Sequence, residues 1–123
     1  MRRTLVSLVA VAAMVVFASS LLAFEIVIDV APSVVSLDSQ GKVVTVHTNI
    51  AYGAVDAYSV ALDGLPIQSW KADNRGNFVA KFNLDDVKEM LEVGTVTVTL
   101  TGTTKDGEEC SGSDTIRVIQ PRK

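Results

Sequence analysis

An antiparallel β-sandwich of about seven strands with one short crossover helix is the fold this sequence predicts, on three observations. Thr95 to Thr101 alternates polar and apolar residues without a break, Lys105-Asp106-Gly107 supplies turn chemistry, and Thr115 to Ile119 alternates again, which is the pattern of a β-hairpin. Segments of the same kind recur at intervals of roughly 8 to 12 residues through the rest of the chain. Only one stretch, Asp85 to Glu92, carries helical spacing.

The 123 residues hold room for one domain, and the first part of the chain is not sandwich. Met1-Arg2-Arg3 is a short cationic segment, followed from Leu5 to Phe17 by Leu, Val, Ala and Met almost without exception, the order of a secretory signal. Small-residue cleavage sites compete at Val16-Phe17-Ala18, Ala18-Ser19-Ser20 and Leu21-Leu22-Ala23. The alternative is an uncleaved membrane anchor, since Leu5 to Phe24 reaches the roughly 20 apolar residues that span a bilayer. Phe24 stands where a lipoprotein signal would need cysteine, so lipidation there is excluded. The chain thus divides into residues 1–23, a signal peptide or membrane anchor, and residues 24–123, the sandwich, placed in the secreted, periplasmic or cell-surface space.

Within the domain, Glu25 to Val30 reads as a first strand with Ile26, Ile28 and Val30 on one face, ended by Ala31-Pro32. Lys42 to Asn49 is a second, with Val44 and Val46 inward and His47 outward. Ile50 to Ala57 reads as a loop, and Tyr58, Val60 and Leu62 then alternate along a third strand. Asp63-Gly64 is a turn signal before Leu65 to Trp70, a weak or edge strand because of Pro66. After the polar loop Ala72 to Asn77 comes a strand with Phe78, Ala80, Phe82 and Leu84 inward. Asn83 is placed to cap the helix, with Asp86 reaching back to it and Val87, Met90 and Leu91 sharing the buried face until Gly94 stops the segment. The hairpin completes the set, with Val96, Val98 and Leu100 on one face and a threonine ladder on the other. The architecture is immunoglobulin-like, without the Cys, Trp, Cys spacing of antibody domains.

From Phe24 onward the two N-terminal arginines drop out, leaving nine basic residues against 14 acidic and a net charge of −5. That sign disfavours nucleic acid and anionic membrane surfaces as partners. Cys110 is the only cysteine, so no intramolecular disulfide forms. It reads either as an intermolecular disulfide or as a small apolar side chain tucked inward, and the preceding Glu108 and Glu109, which oppose a thiolate, favour the second.

Ile28-Asp29-Val30-Ala31-Pro32, Gly41 to Val46, Val79 to Asn83, Gly94-Thr95-Val96 and Gly107 through Val118 together resemble an Ig-like β-sandwich module of secreted bacterial and archaeal proteins. The resemblance covers nearly all of the sandwich. It implies a recurrent accessory or adhesive domain, often found beside other domains and sometimes beside calcium-binding repeats. This chain holds one copy.

No catalytic constellation appears, neither a nucleophile elbow nor a phosphate-binding glycine loop. His47 has no second histidine to pair with, and Asp85-Asp86 and Glu108-Glu109 read as a helix start and a hairpin edge. The expected function is therefore that of a non-enzymatic structural or interaction module with no cofactor and an unidentified protein or glycan partner. The alternative is a ligand-binding module for calcium or carbohydrate. Calcium would fall to Asp73, Asn74 and Asn77, an oxygen-rich loop that relatives of the module also carry, although Arg75 and Gly76 depart from the EF-hand order of donors. Carbohydrate would fall to Trp70 and Tyr52, whose rings offer stacking surface with a polar handle.

Overall fold

The computed structural model describes residues 23–38 and 42–120. The signal or anchor expected over residues 1–23 thus lies, apart from Ala23, outside the described residues. The strands are β1 (Phe24–Glu25), β2 (Ile28–Ala31), β3 (Val34–Ser36), β4 (Val43–Ala51), β5 (Val55–Leu62), β6 (Leu65–Pro66), β7 (Ser69–Ala72), β8 (Asn77–Asn83), β9 (Gly94–Thr104) and β10 (Glu109–Ile119). A 3-10 turn occupies Tyr52–Ala54 and a short helix, α1, Leu84–Lys88.

One sheet has the order β2-β4-β8-β7, and the other β1-β10-β9-β5-β6 with β3 also on β10. Counting β2, β4, β5, β7, β8, β9 and β10 as strands A to G, the sheets are ABED and CFG, the arrangement of an immunoglobulin-type sandwich. The expected all-β, immunoglobulin-like class therefore holds. The sheets are not wholly antiparallel, because β1 and β3 pair with β10 in parallel.

Inward side chains of the two sheets fill one core. Val30, Val44, Val46, Phe78, Ala80 and Phe82 meet Val60, Leu62, Val98, Leu100, Ile116 and Val118, all buried. Burying each such valine, leucine or phenylalanine contributes about 1.5 to 3 kcal/mol. The hairpin pairs as its alternation requires, from Glu109↔Thr103 to Val118↔Gly94. Its threonine face is exposed or partly so, and Thr99 Oγ1 lies 2.8 Å from Ser113 Oγ.

Three strand readings change. Glu25 to Val30 is not one strand: β1 pairs with β10 in one sheet and β2 with β4 in the other. Leu65 to Trp70 divides likewise, β6 pairing with β5 and β7 with β8. Both inner faces look onto the same core, so alternation alone does not reveal a change of sheet. The first crossing needs room, and Gly112 on β10 supplies it: a Cβ there would stand 2.5 Å from the Ile26 carbonyl oxygen.

The third change is in β5, which starts at Val55 and follows β4 after only the 3-10 turn, where a loop from Ile50 to Ala57 was expected. Its pairing with β9 runs Asp56↔Thr103 and then Ala61↔Thr101, so it bulges between. Tyr58, read as alternating in one series with Val60 and Leu62, is turned by the bulge to the other side of the strand from these two buried residues and is 85% exposed. Asp63-Gly64 behaves as its composition indicates: φ is positive at both residues, and Leu62 pairs with Leu65 across a two-residue turn.

The helix is shorter than expected. Asn83 caps it by accepting a hydrogen bond from the Asp85 N–H at 3.0 Å, but no reciprocal bond from Asp86 forms among the described residues. Leu84, expected as the end of a strand, is its first residue and is buried. Val87 and Leu91 close one end of the core, while Met90, beyond the last helical turn, is 37% exposed.

Candidate functional site

The two aromatics singled out for carbohydrate, Tyr52 and Trp70, come from different elements and meet at one groove of about 580 Å³. Tyr52 begins the 3-10 turn, Trp70 lies on edge strand β7, and the β5 bulge turns Tyr58 out of the core and onto Trp70. Tyr52 stacks over the buried Phe78 ring with centroids 6.1 Å apart and planes at 28°. Tyr58 meets Trp70 edge to face, at 5.0 Å and 77°. Trp70 is half-buried and packs against the core, so its partner surface is both the sheet edge and Tyr58.

Short-range hydrogen bonds hold these elements. The Tyr52 N–H donates to the Gly76 carbonyl at 2.8 Å, and the Lys105 N–H donates to the Ala54 carbonyl at 2.9 Å, so the 3-10 turn is tied to a hairpin turn on each side. In the bulge, where the backbone ladder lapses, the Ser59 hydroxyl takes over: it donates to the Asp56 carbonyl at 2.6 Å and accepts from the Thr103 N–H at 2.8 Å. Ser59 thereby positions Tyr58.

The groove's charged groups are Asp56 and Lys105, one of each sign, with Thr103 and Thr104 between them in the lining. The Asp56 carboxylate, the Lys105 ammonium, the Tyr52 and Tyr58 hydroxyls and the Trp70 indole N–H make no hydrogen bond to a described residue. Apolar walls with a few uncommitted polar groups are the usual make-up of a small-molecule site.

The loop expected to hold calcium does not line the groove but is tied to it through the Tyr52 N–H, which donates to the Gly76 carbonyl. Asp73 Oδ1 accepts from the Arg75 N–H at 2.8 Å and from the Asn77 N–H at 2.9 Å. Asp73 and Asn77 also pair through the backbone, and Gly76 takes φ +81° to close the turn. The bond from the Asn77 N–H, chiefly, holds the Asp73 carboxyl below its ordinary pKa. Asn74 is exposed and Asn77 partly so, and their side chains make no hydrogen bond to a described residue. Among the described residues no three His, Cys, Asp or Glu side chains gather into a group that could hold a metal ion.

His47 is exposed on the outer face of its sheet, with Asp29 and Val79 as cross-strand neighbours. Cys110 is buried, its Sγ 3.6 Å from the Gly102 carbonyl oxygen, and burial pushes its thiol pKa up.

Sequence reasoning missed Tyr58, Asp56 and Lys105. One signal was available for the first: Val55 and Val60 are both inward, yet five residues apart, which a strand of period two cannot satisfy without an inserted bulge. Lys105 carries no comparable mark, because it reads only as turn chemistry.

No protein-family model matches the sequence, and no curated protein matches it. Among solved structures, the chain is similar to the crystal structure of CopC from Methylosinus trichosporium OB3b, at 17% identity and a TM-score of 0.45, over 80% of this chain and 97% of that one.

Proposed function

We propose that this chain is an exported, non-enzymatic interaction module of the cell surface or extracellular space, an accessory-type sandwich that binds its partner at the aromatic groove. The observation that carries the reading is the groove itself: three partly or largely exposed rings with uncommitted polar groups, on elements tied to one another. Its lining joins aromatic surface to two threonine hydroxyls, one carboxylate and one ammonium, groups that suit a hydroxyl-rich partner. Export rests on Arg2-Arg3 and the apolar run behind them. No helix among the described residues is long and apolar enough to cross a membrane.

Of the two ligand classes open to such a module, the groove favours carbohydrate, because it unites Tyr52 and Trp70. Calcium gains no similar support, since Asp73 already spends Oδ1 on two backbone N–H groups. The test is sedimentation of the purified chain with cell-envelope material of its own host. Co-sedimentation that weakens with Trp70→Ala and with Tyr58→Ala supports the reading. Absence of binding, or binding indifferent to both substitutions, overturns it.

A further inference from the structure

We propose that the groove's ligand is a soluble neutral polysaccharide chain, gripped by Tyr52, Tyr58 and Trp70 and hydrogen-bonded by Asp56 and Lys105; this rests on the reading of the groove as the module's binding site. A pyranose ring has an apolar C–H face and a rim of hydroxyls. Tyrosine and tryptophan match both, offering a flat apolar body and a polar tip. The tips here are unspent, as neither tyrosine hydroxyl nor the indole N–H is hydrogen-bonded to a described residue.

Charge selects against an anionic polymer. Asp56 and Lys105 give the groove one carboxylate and one ammonium. An anionic chain would meet Asp56 on a net acidic domain, whereas a neutral chain can accept from the ammonium and donate to the carboxylate with no like-charge contact. Ring geometry narrows the class further. Planes at 77° cannot lie together on a flat crystalline face, but they can hold a ring of a free, twisted chain on two sides. The volume of about 580 Å³ falls within the usual span of ligand sites. The ties through Gly76, Ala54 and Ser59 set the rings before the ligand arrives, which reduces the ordering cost of binding.

The experiment is affinity electrophoresis of the purified chain through gels containing hydroxyethyl cellulose, laminarin, galactomannan or pullulan, with polygalacturonate as the anionic control and a pull-down on microcrystalline cellulose. The expected result is retardation by at least one soluble neutral polymer, with none by polygalacturonate and no capture by the crystalline one. Tyr58→Ala, at an exposed position where folding is not at stake, should weaken that retardation about two- to tenfold, the value of one aromatic contact. Trp70→Ala should weaken it at least as much, and the bound polymer should quench or shift the single tryptophan's emission. Retardation unchanged by Tyr58→Ala, or no retardation by any neutral polymer, overturns the proposal. If envelope binding then persists and is lost to protease but not to periodate, the partner is a protein and the interaction-module reading stands alone. If envelope binding is absent as well, both fall.

Discussion

Gly112→Ala should be the most informative single-methyl change in the domain. The added Cβ would stand 2.5 Å from the Ile26 carbonyl oxygen, 2.9 Å from Ile28 Cγ2 and 3.0 Å from Ile26 Cγ1. The nearest of these is backbone, and it is held: the Ile26 N–H donates to the Ser111 carbonyl at 2.8 Å, and β2 begins two residues later in the other sheet. To admit the methyl, the crossing between β1 and β2 must lift away from β10. Overpacking of this sort costs about 1 to 3 kcal/mol, and loss of the Ile26 hydrogen bond would add about 1. Against this, replacing glycine lowers the entropy of the unfolded chain, a gain of roughly 0.4 to 1 kcal/mol. The net expectation is a loss of about 1 to 4 kcal/mol. Urea denaturation of the purified protein measures it. Gly53→Ala is the control, because a Cβ there meets nothing within 4 Å, and it should be neutral or slightly stabilising. A Gly112→Ala midpoint at or above that of the parent would refute the account of the crossing.

Phe82→Ala and Val98→Ala remove fully buried side chains from opposite sheets and should cost about 3 to 5 and 1 to 3 kcal/mol respectively. Thr97→Ala, exposed on the outer face, should stay within about 0.5 kcal/mol, and denaturant midpoints in the reverse order would mean that β9 is out of register. For Cys110, a thiol reagent should label the native protein slowly and the denatured chain fast, and non-reducing electrophoresis should show a monomer; rapid native labelling with a reducible dimer band would contradict its burial. Asp73 has a depressed pKa in the folded state, so its contribution is fully present above the ordinary 3.8 and is lost as pH falls through the lower folded value. The midpoint difference between the parent and Asp73→Ala should accordingly be larger at pH 7 than near pH 2, and an equal difference at both would show that the carboxylate charge plays no part in closing the turn.

The faces of most strands were determined by the sequence alone, because side chains on a strand alternate and one face must leave water. Val44 and Val46, Phe82, Val98 and Leu100 are buried where alternation places them, and His47 and Thr97 lie outside. The turn at Asp63-Gly64 and the cap at Asn83 were equally legible, since each depends on a backbone preference of the residue in that place. Partner choice was not. Ile28 and Val30 point into the core from one sheet while Phe24 and Glu25, a few residues earlier, belong to the other, and the local pattern is the same either way. The bulge in β5 was decided by β9, against which Ser59 replaces backbone hydrogen bonds, and a run reading Tyr58, Val60, Leu62 conceals it. The groove depends on both effects. Tyr52 and Tyr58 lie six residues apart on either side of the start of β5, while Trp70 comes only after β6, and Tyr58 meets Trp70 because the bulge reverses its side chain and the crossing after β6 moves Trp70 into the opposite sheet. Residue types that suit a sugar ring were visible in the chain; their convergence is a property of pairing between distant segments, which no local preference encodes.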